Sequence, residues 1–156
     1  MRIWNLVAVV ALATSVGCAV ESEPEADIEE DSLAQSIAIA RSRLEANFDS
    51  LLVANSGRGC QVVSGRETCI VTSAVNPSRV LRVGDSIPSV SALRLCTGSS
   101  CAPVQPIPLA PGTFHCSGLA LCAPLAAGCL KGALRCEPHK GPFGGEDLTC
   151  ECTVLD

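Results

Sequence analysis

Eleven cysteines and two histidines, His115 and His139, are the residues of this 156-residue chain best equipped for chemistry. Thiolates and imidazoles ligate zinc or copper, thiol pairs exchange electrons, and in an oxidising compartment cysteines close into cystines. Spacing separates these outcomes. No C-x2-C pair occurs, so the strong signature of a zinc site and that of a thioredoxin-like redox centre are both missing. Cys150-Glu151-Cys152, with His115 and His139, still offers the ligand types of a zinc- or copper-binding envelope protein, which stands as an alternative reading. Against it, residues 56–156 hold ten of the eleven cysteines: Cys60, Cys69, Cys96, Cys101, Cys116, Cys122, Cys129, Cys136, Cys150 and Cys152. Ten is an even number that closes five bridges, at the density of an exported disulfide scaffold. No residue is assigned to catalysis, to a metal or to a cofactor.

Val83-Gly84-Asp85-Ser86-Ile87 resembles the Gly-Asp-Ser block of a family of serine esterases and lipases, in which the serine is the nucleophile. The resemblance covers three residues. No Asn follows Asn76 to build that family's oxyanion hole, and neither histidine lies three residues after an Asp, as its base does. The segment reads instead as a strand-ending turn that uses Gly and Asp for their backbone conformations. Charge excludes another class. Residues 19–55 carry nine acidic and two basic side chains, and residues 56–156 carry seven acidic and eight basic, so no basic patch suited to nucleic acid exists.

The elements that position these residues follow from local pattern. Aromatic anchors are scarce, with one Trp, three Phe and no Tyr, so cystines must supply rigidity that a large core would otherwise give. In Gly57 to Ser73 two β-branched runs flank Ser64-Gly65, which predicts a hairpin with a two-residue loop. That register sets Cys60 opposite Cys69 in a non-hydrogen-bonded pair, with Cα atoms about 4.5 Å apart, and predicts a Cys60–Cys69 bridge. Further strands are expected over 79–83 and 91–96. Four small residues separate Cys96 from Cys101, which permits a local bridge. Four prolines in 102–112 impose an extended crossing. A short helix starting at Pro124 would set Cys122, Cys129 and Cys136 on one face, although Gly128 and Gly132 each weaken it by about 1 kcal/mol. In the last segment Leu148, Cys150, Cys152 and Val154 alternate with Thr149, Glu151 and Thr153, as in a half-buried strand, so Cys150 and Cys152 point the same way and take different distant partners.

The eleventh cysteine needs its own explanation. Residues 1–17 have a basic residue at Arg2, an apolar stretch and small residues at the end, the layout of a secretory signal peptide too short to span a bilayer as a helix. Their end, Ser15-Val16-Gly17-Cys18, resembles the lipobox of bacterial lipoproteins, which implies that Cys18 becomes the lipidated first residue of the mature chain. An acidic stretch follows that cannot bury enough apolar surface to fold. Then Leu33, Ile37, Ala40, Leu44, Phe48 and Leu51 recur at helical spacing, and Asn55-Ser56-Gly57 supplies a stop. This stripe is expected to pack on the cysteine domain, with self-association or docking of a partner protein as the other uses open to it.

The expected organisation is a signal peptide over 1–17, an acidic spacer over 18–31, an amphipathic helix over 32–55 and a disulfide-stapled domain over 56–156. The fold class is a small disulfide-rich α+β protein with a β-rich cysteine domain. The expected function is that of a noncatalytic envelope lipoprotein, anchored to the membrane through Cys18, with a binding or structural domain. A periplasmic or secreted soluble form, acting as an inhibitor or toxin-like module, is the further alternative.

Overall fold

The computed structural model describes residues 26–72, 79–140 and 146–154. The expected signal peptide, Cys18 and the spacer up to residue 25 lie outside the described residues. The fold is α+β and disulfide-rich, with one long and one short α-helix and two antiparallel sheets among the described residues.

Helix α1 spans Ala26–Ala54 and so begins six residues ahead of the expected start. Acidic residues are favoured near a helix N-terminus by the macrodipole, so residues 27–31 suit first turns as well as a spacer. The helix ends where the Asn55-Ser56-Gly57 signal places it. Ser56 and Gly57 adopt φ of 59° and 70°, and the Gly57 N–H donates to the Leu52 carbonyl at 2.6 Å. Only part of the expected stripe is buried. Leu44, Phe48, Leu51 and Leu52 are nearly inaccessible, whereas Leu33 and Ile37 are 63% and 60% exposed. A helix of this length reaches about 43 Å, more than the domain has surface to cover, and every side chain of residues 30–42 faces solvent.

The first sheet contains β1 (Cys60–Val63), β2 (Arg66–Thr72), β3 (Arg79–Val80), β4 (Leu93–Thr97) and β5 (Ser100–Pro103). Its order is β1-β2-β4-β5, with β3 on β2 beyond the end of β1. Ser64 and Gly65 have φ of 50° and 74°, the left-handed pair that a two-residue hairpin loop requires. Cys60 stands opposite Cys69 with Cα atoms 4.0 Å apart, and the two are bonded. The second sheet has the order β6-β8-β7, from β6 (Gly112–Cys116), β7 (Gly132–Lys140) and β8 (Glu146–Val154).

Helix α2, Gly118–Gly128, lies between β6 and β7 in sequence and differs from the expected helix. It starts six residues before Pro124 and contains that proline, Cys129 is its C-cap, and Cys136 belongs to β7. The three cysteines therefore do not share a helical face. Burial explains the misreading: Leu119, Cys122, Ala123, Ala126 and Ala127 are all inaccessible, and a helix apolar on most sides gives no amphipathic period to read. The Cys116–Cys122 bridge pins its first turn. Tertiary contacts thus outweigh the cost of Pro124.

One core joins these parts. Phe48, Leu51 and Leu52 of α1 meet Ile70 and Leu93 of the first sheet, the small residues of α2, and Leu134 and Leu148 of the second sheet. The proline-rich segment crosses α2 closely, and the Ile107 N–H donates to the Pro124 carbonyl at 3.0 Å. A Cβ at Gly128 would clash with the Ile107 carbonyl oxygen, a backbone atom with no rotamer to change. Gly128→Ala is therefore expected to destabilise the fold by about 3 kcal/mol, the upper part of the range for overpacking; urea denaturation of the two chains checks this.

Candidate binding face and cystine framework

The alternation expected for the last segment holds in β8. Leu148, Cys150 and Cys152 are buried, while Glu151 and Thr153 are exposed and Thr149 is half-buried. The inward face carries the sulfur. Cys150 bonds Cys136 across the sheet, Cys152 bonds Cys129 at the end of α2, and the Cys116 and Cys150 sulfurs touch at 3.9 Å. With Cys116–Cys122, these three bridges form a sulfur-rich part of the core, and none of their cysteines is more than 8% exposed. Cys60–Cys69 and Cys96–Cys101 lie on the first sheet instead.

The outward face of the second sheet brings together polar residues that lie far apart in sequence. His115 of β6 stands opposite Thr149 of β8, Glu137 of β7 stands opposite Thr149 from the other side, and His139 stands opposite Asp147. Thr149 Oγ1 lies 3.3 Å from His115 Nδ1 and 3.0 Å from His139 Nδ1, and the two imidazoles are nearly perpendicular with centroids 6.1 Å apart. A hydroxyl has one proton to give. With both rings neutral, Thr149 donates to one Nδ1 and accepts from the other, so one ring carries its proton on Nε2 and its partner presents a bare Nε2. The face therefore offers a donor and an acceptor side by side. Next to them a shallow groove of about 140 Å³ is lined by Thr113, Arg135, Glu137, Thr149 and Glu151, with an exposed Arg135–Glu137 ion pair at 2.9 Å.

This arrangement offers hydrogen-bonding groups to a polar ligand. A hydroxyl between imidazoles has one element of an activated nucleophile, but among the described residues no carboxylate orients either ring through a hydrogen bond. The histidines and the paired cysteines of β8 point to opposite faces, so the donor types considered for a metal do not form one ligand set. The juxtaposition of His115 and His139 was not legible in the chain, because the strand order β6-β8-β7 creates it.

Ser86 is held elsewhere. Its hydroxyl accepts from Arg41 Nη2 at 2.9 Å and donates to Glu45 Oε1 at 3.3 Å, both on α1. The Gly84 N–H donates to Asp49 at 2.8 Å, and Asp85 accepts from Arg79 at 2.6 Å and from the Arg82 N–H at 2.8 Å. Gly84-Asp85-Ser86 is thus a turn docked on the helix, and neither histidine reaches its serine.

One residue that the sequence reading passed over organises the junction of helix and sheet. Asn47 is fully buried; its Nδ2 donates to the Cys129 carbonyl at 2.7 Å and its Oδ1 accepts from the Leu134 N–H at 2.5 Å. One turn on, Ser50 Oγ accepts from the Cys136 N–H at 2.9 Å. These N–H groups lie on the free edge of β7, where residues 134, 136 and 138 point away from β8. Two are capped by α1 and the third is Pro138, which has no N–H, so the middle of this edge offers no free N–H to a further strand. The available signal was Asn47 itself, a polar residue three after Leu44 and four before Leu51, inside the apolar stripe.

Among the described residues no helix is long and apolar enough to cross a membrane. Five cystines are the mark of a chain that matures outside the reducing cytosol, in the envelope or beyond it. Comparison of the chain with protein-family models, with curated proteins and with solved structures finds no match.

Proposed function

We propose that this chain is a noncatalytic bacterial envelope lipoprotein, tethered through Cys18, that holds a disulfide-stapled binding domain away from the membrane surface. The observation that carries this reading is the cysteine balance: of eleven cysteines, ten pair among themselves in residues 60–152, and Cys18 is left over at the lipobox-like Ser15-Val16-Gly17-Cys18. An odd cysteine in an exported chain calls for another use, and acylation supplies one. The free half of α1 fits the tether. Residues 26–42 rise about 25 Å as a helix before α1 enters the core, and they act as a stalk between lipid and domain. The outward face of the second sheet, with His115, His139 and Thr149, is the binding surface on this reading.

The test is the intact mass of the mature protein from the membrane fraction, before and after reduction and alkylation. A chain beginning at Cys18 and carrying acyl groups, with ten cysteines protected until reduction, is the expected result. A soluble, unacylated chain would overturn the tether and favour the secreted alternative.

A further inference from the structure

The four cysteines of the first sheet form a single row. Cys60 stands opposite Cys69, Cys69 opposite Cys96, and Cys96 opposite Cys101, across β1, β2, β4 and β5 in turn. The outer two pairs are the narrow, non-hydrogen-bonded kind, each with Cα atoms 4.0 Å apart, and these are the pairs that are bonded. In a middle strand a residue turns its backbone groups to one side only. Cys69 therefore bonds toward β4, as the Ile70 N–H to Gly59 carbonyl bond on the other side confirms, and the central Cys69–Cys96 pair is the wide kind, about 5.5 Å.

This row lies on the outward face. Its neighbours Ile70 and Leu93 turn into the core, while Cys101 is exposed and Cys60, Cys69 and Cys96 are half-buried, in contrast to the six inaccessible cysteines of the other three bridges. A groove of about 460 Å³ runs along it, lined by Cys69, Cys96 and Cys101, by the apolar Val71 and Val80, and by the charged pair Arg66 and Glu67. As staples these two bridges have little to do. They close short loops, with sequence separations of 9 and 5, in hairpins whose strands the backbone ladder already aligns.

We propose that this row is a thiol–disulfide exchange site that oxidises thiols stoichiometrically, with Cys96–Cys101 as the bridge that reacts first. The incoming thiolate attacks the exposed Cys101 sulfur; a new substrate–Cys101 disulfide forms, the Cys96–Cys101 bond breaks, and its electron pair leaves with Cys96 as a thiolate. A second substrate thiolate attacks the substrate sulfur of that mixed disulfide and releases Cys101 as a thiolate. The substrate leaves as a disulfide, oxidised by two electrons, and the protein's own cystine is reduced by two. Cys60–Cys69, whose Cys69 lines the same groove, holds the next two oxidising equivalents. Arg66 and Glu67 both line the groove; the Glu67 carboxylate lies within 4.8 Å of the Cys60 and Cys69 sulfurs, where it disfavours a thiolate and makes that bridge the second to react. Val71 and Val80 give an apolar side chain of a cysteine-containing peptide a surface to lie on. The site does not depend on the lipid tether.

The test uses the full chain under native conditions. One arm receives reduced glutathione, the other a cysteine-containing peptide with apolar flanking residues; after acid quenching, free thiols are tagged, the remaining cystines are reduced and tagged differently, and each cysteine is quantified by mass spectrometry. Cys96 and Cys101 are expected to become reduced first, then Cys60 and Cys69, all at least about tenfold faster than the six buried cysteines, with mixed disulfide trapped on Cys101 and circular dichroism unchanged. A faster peptide arm identifies a polypeptide thiol as the substrate, and a faster glutathione arm a small thiol. Reduction of all ten cysteines in parallel, or no reduction before the chain unfolds, would overturn the proposal.

Discussion

Replacing Cys129 and Cys152 together by alanine is expected to remove about 4 kcal/mol of stability, enough to unfold much of the population of a marginal domain at physiological temperature. This bridge closes the longest loop of the five, with a sequence separation of 23, and the chain-entropy term for such a loop is about 3 kcal/mol. Both sulfurs are buried, at 1% and 4% exposure, so their removal also leaves a cavity worth roughly another 1 kcal/mol. The bridge ties the end of α2 to the central strand β8, and no backbone ladder joins these two elements. Replacing Cys96 and Cys101 in the same way is the contrast: their loop is short, their strands are already paired, and their sulfurs lie at the surface. That pair is expected to cost no more than about 2 kcal/mol. Urea denaturation of the two double variants measures both, and equal losses would contradict the division into core and surface bridges.

That division was not visible in the chain, although much around it was. The β1–β2 hairpin was legible because Ser64-Gly65 fixes both loop length and register, and register then fixes which cysteine faces which. Strand β8 was legible because one face is buried and the other wet, so its residues alternate in type. The lower half of α1 followed from its period for the same reason. Where an element is buried on several sides the logic fails: α2 is apolar nearly throughout, and the only punctuation it shows, Pro124, marks its interior and not its start. The upper half of α1 fails in the opposite sense, since Leu33 and Ile37 continue the apolar period where the side chains are exposed and no described residue buries them. Connectivity and the histidine pair depend on strand order, which ten cysteines and two histidines in a line do not encode. The two sheets thus make opposite use of the same residue: β8 turns its cysteines inward with the histidines outside, and the first sheet turns its cysteines outward over a leucine and isoleucine layer.

Asn47→Leu is expected to cost about 4 kcal/mol in spite of placing an apolar residue in an apolar stripe. The substitution leaves the Cys129 carbonyl and the Leu134 N–H without partners in the core, and each buried unpaired backbone group costs about 1–3 kcal/mol. Leucine also puts a tetrahedral Cγ where the planar amide fits between α1 and β7, so relaxation to admit water would have to separate the helix from the sheet edge. Asn47→Asp keeps the shape and distinguishes hydrogen bonding from packing. Its oxygen can still accept from Leu134, but only the protonated acid can donate to Cys129, and burial favours that neutral form. The folded-state pKa of such a carboxyl lies above its unfolded value of about 3.9, so the variant retains most stability below the unfolded value and loses it as pH rises through the folded one. Denaturation profiles from pH 3 to 8, roughly the span of carboxyl titration in and out of a core, should therefore show Asn47→Asp approaching the parent at the acid end and Asn47→Leu offset at every pH. A pH-independent offset for both would assign the loss to packing alone and remove Asn47 as the hydrogen-bonded joint between α1 and β7.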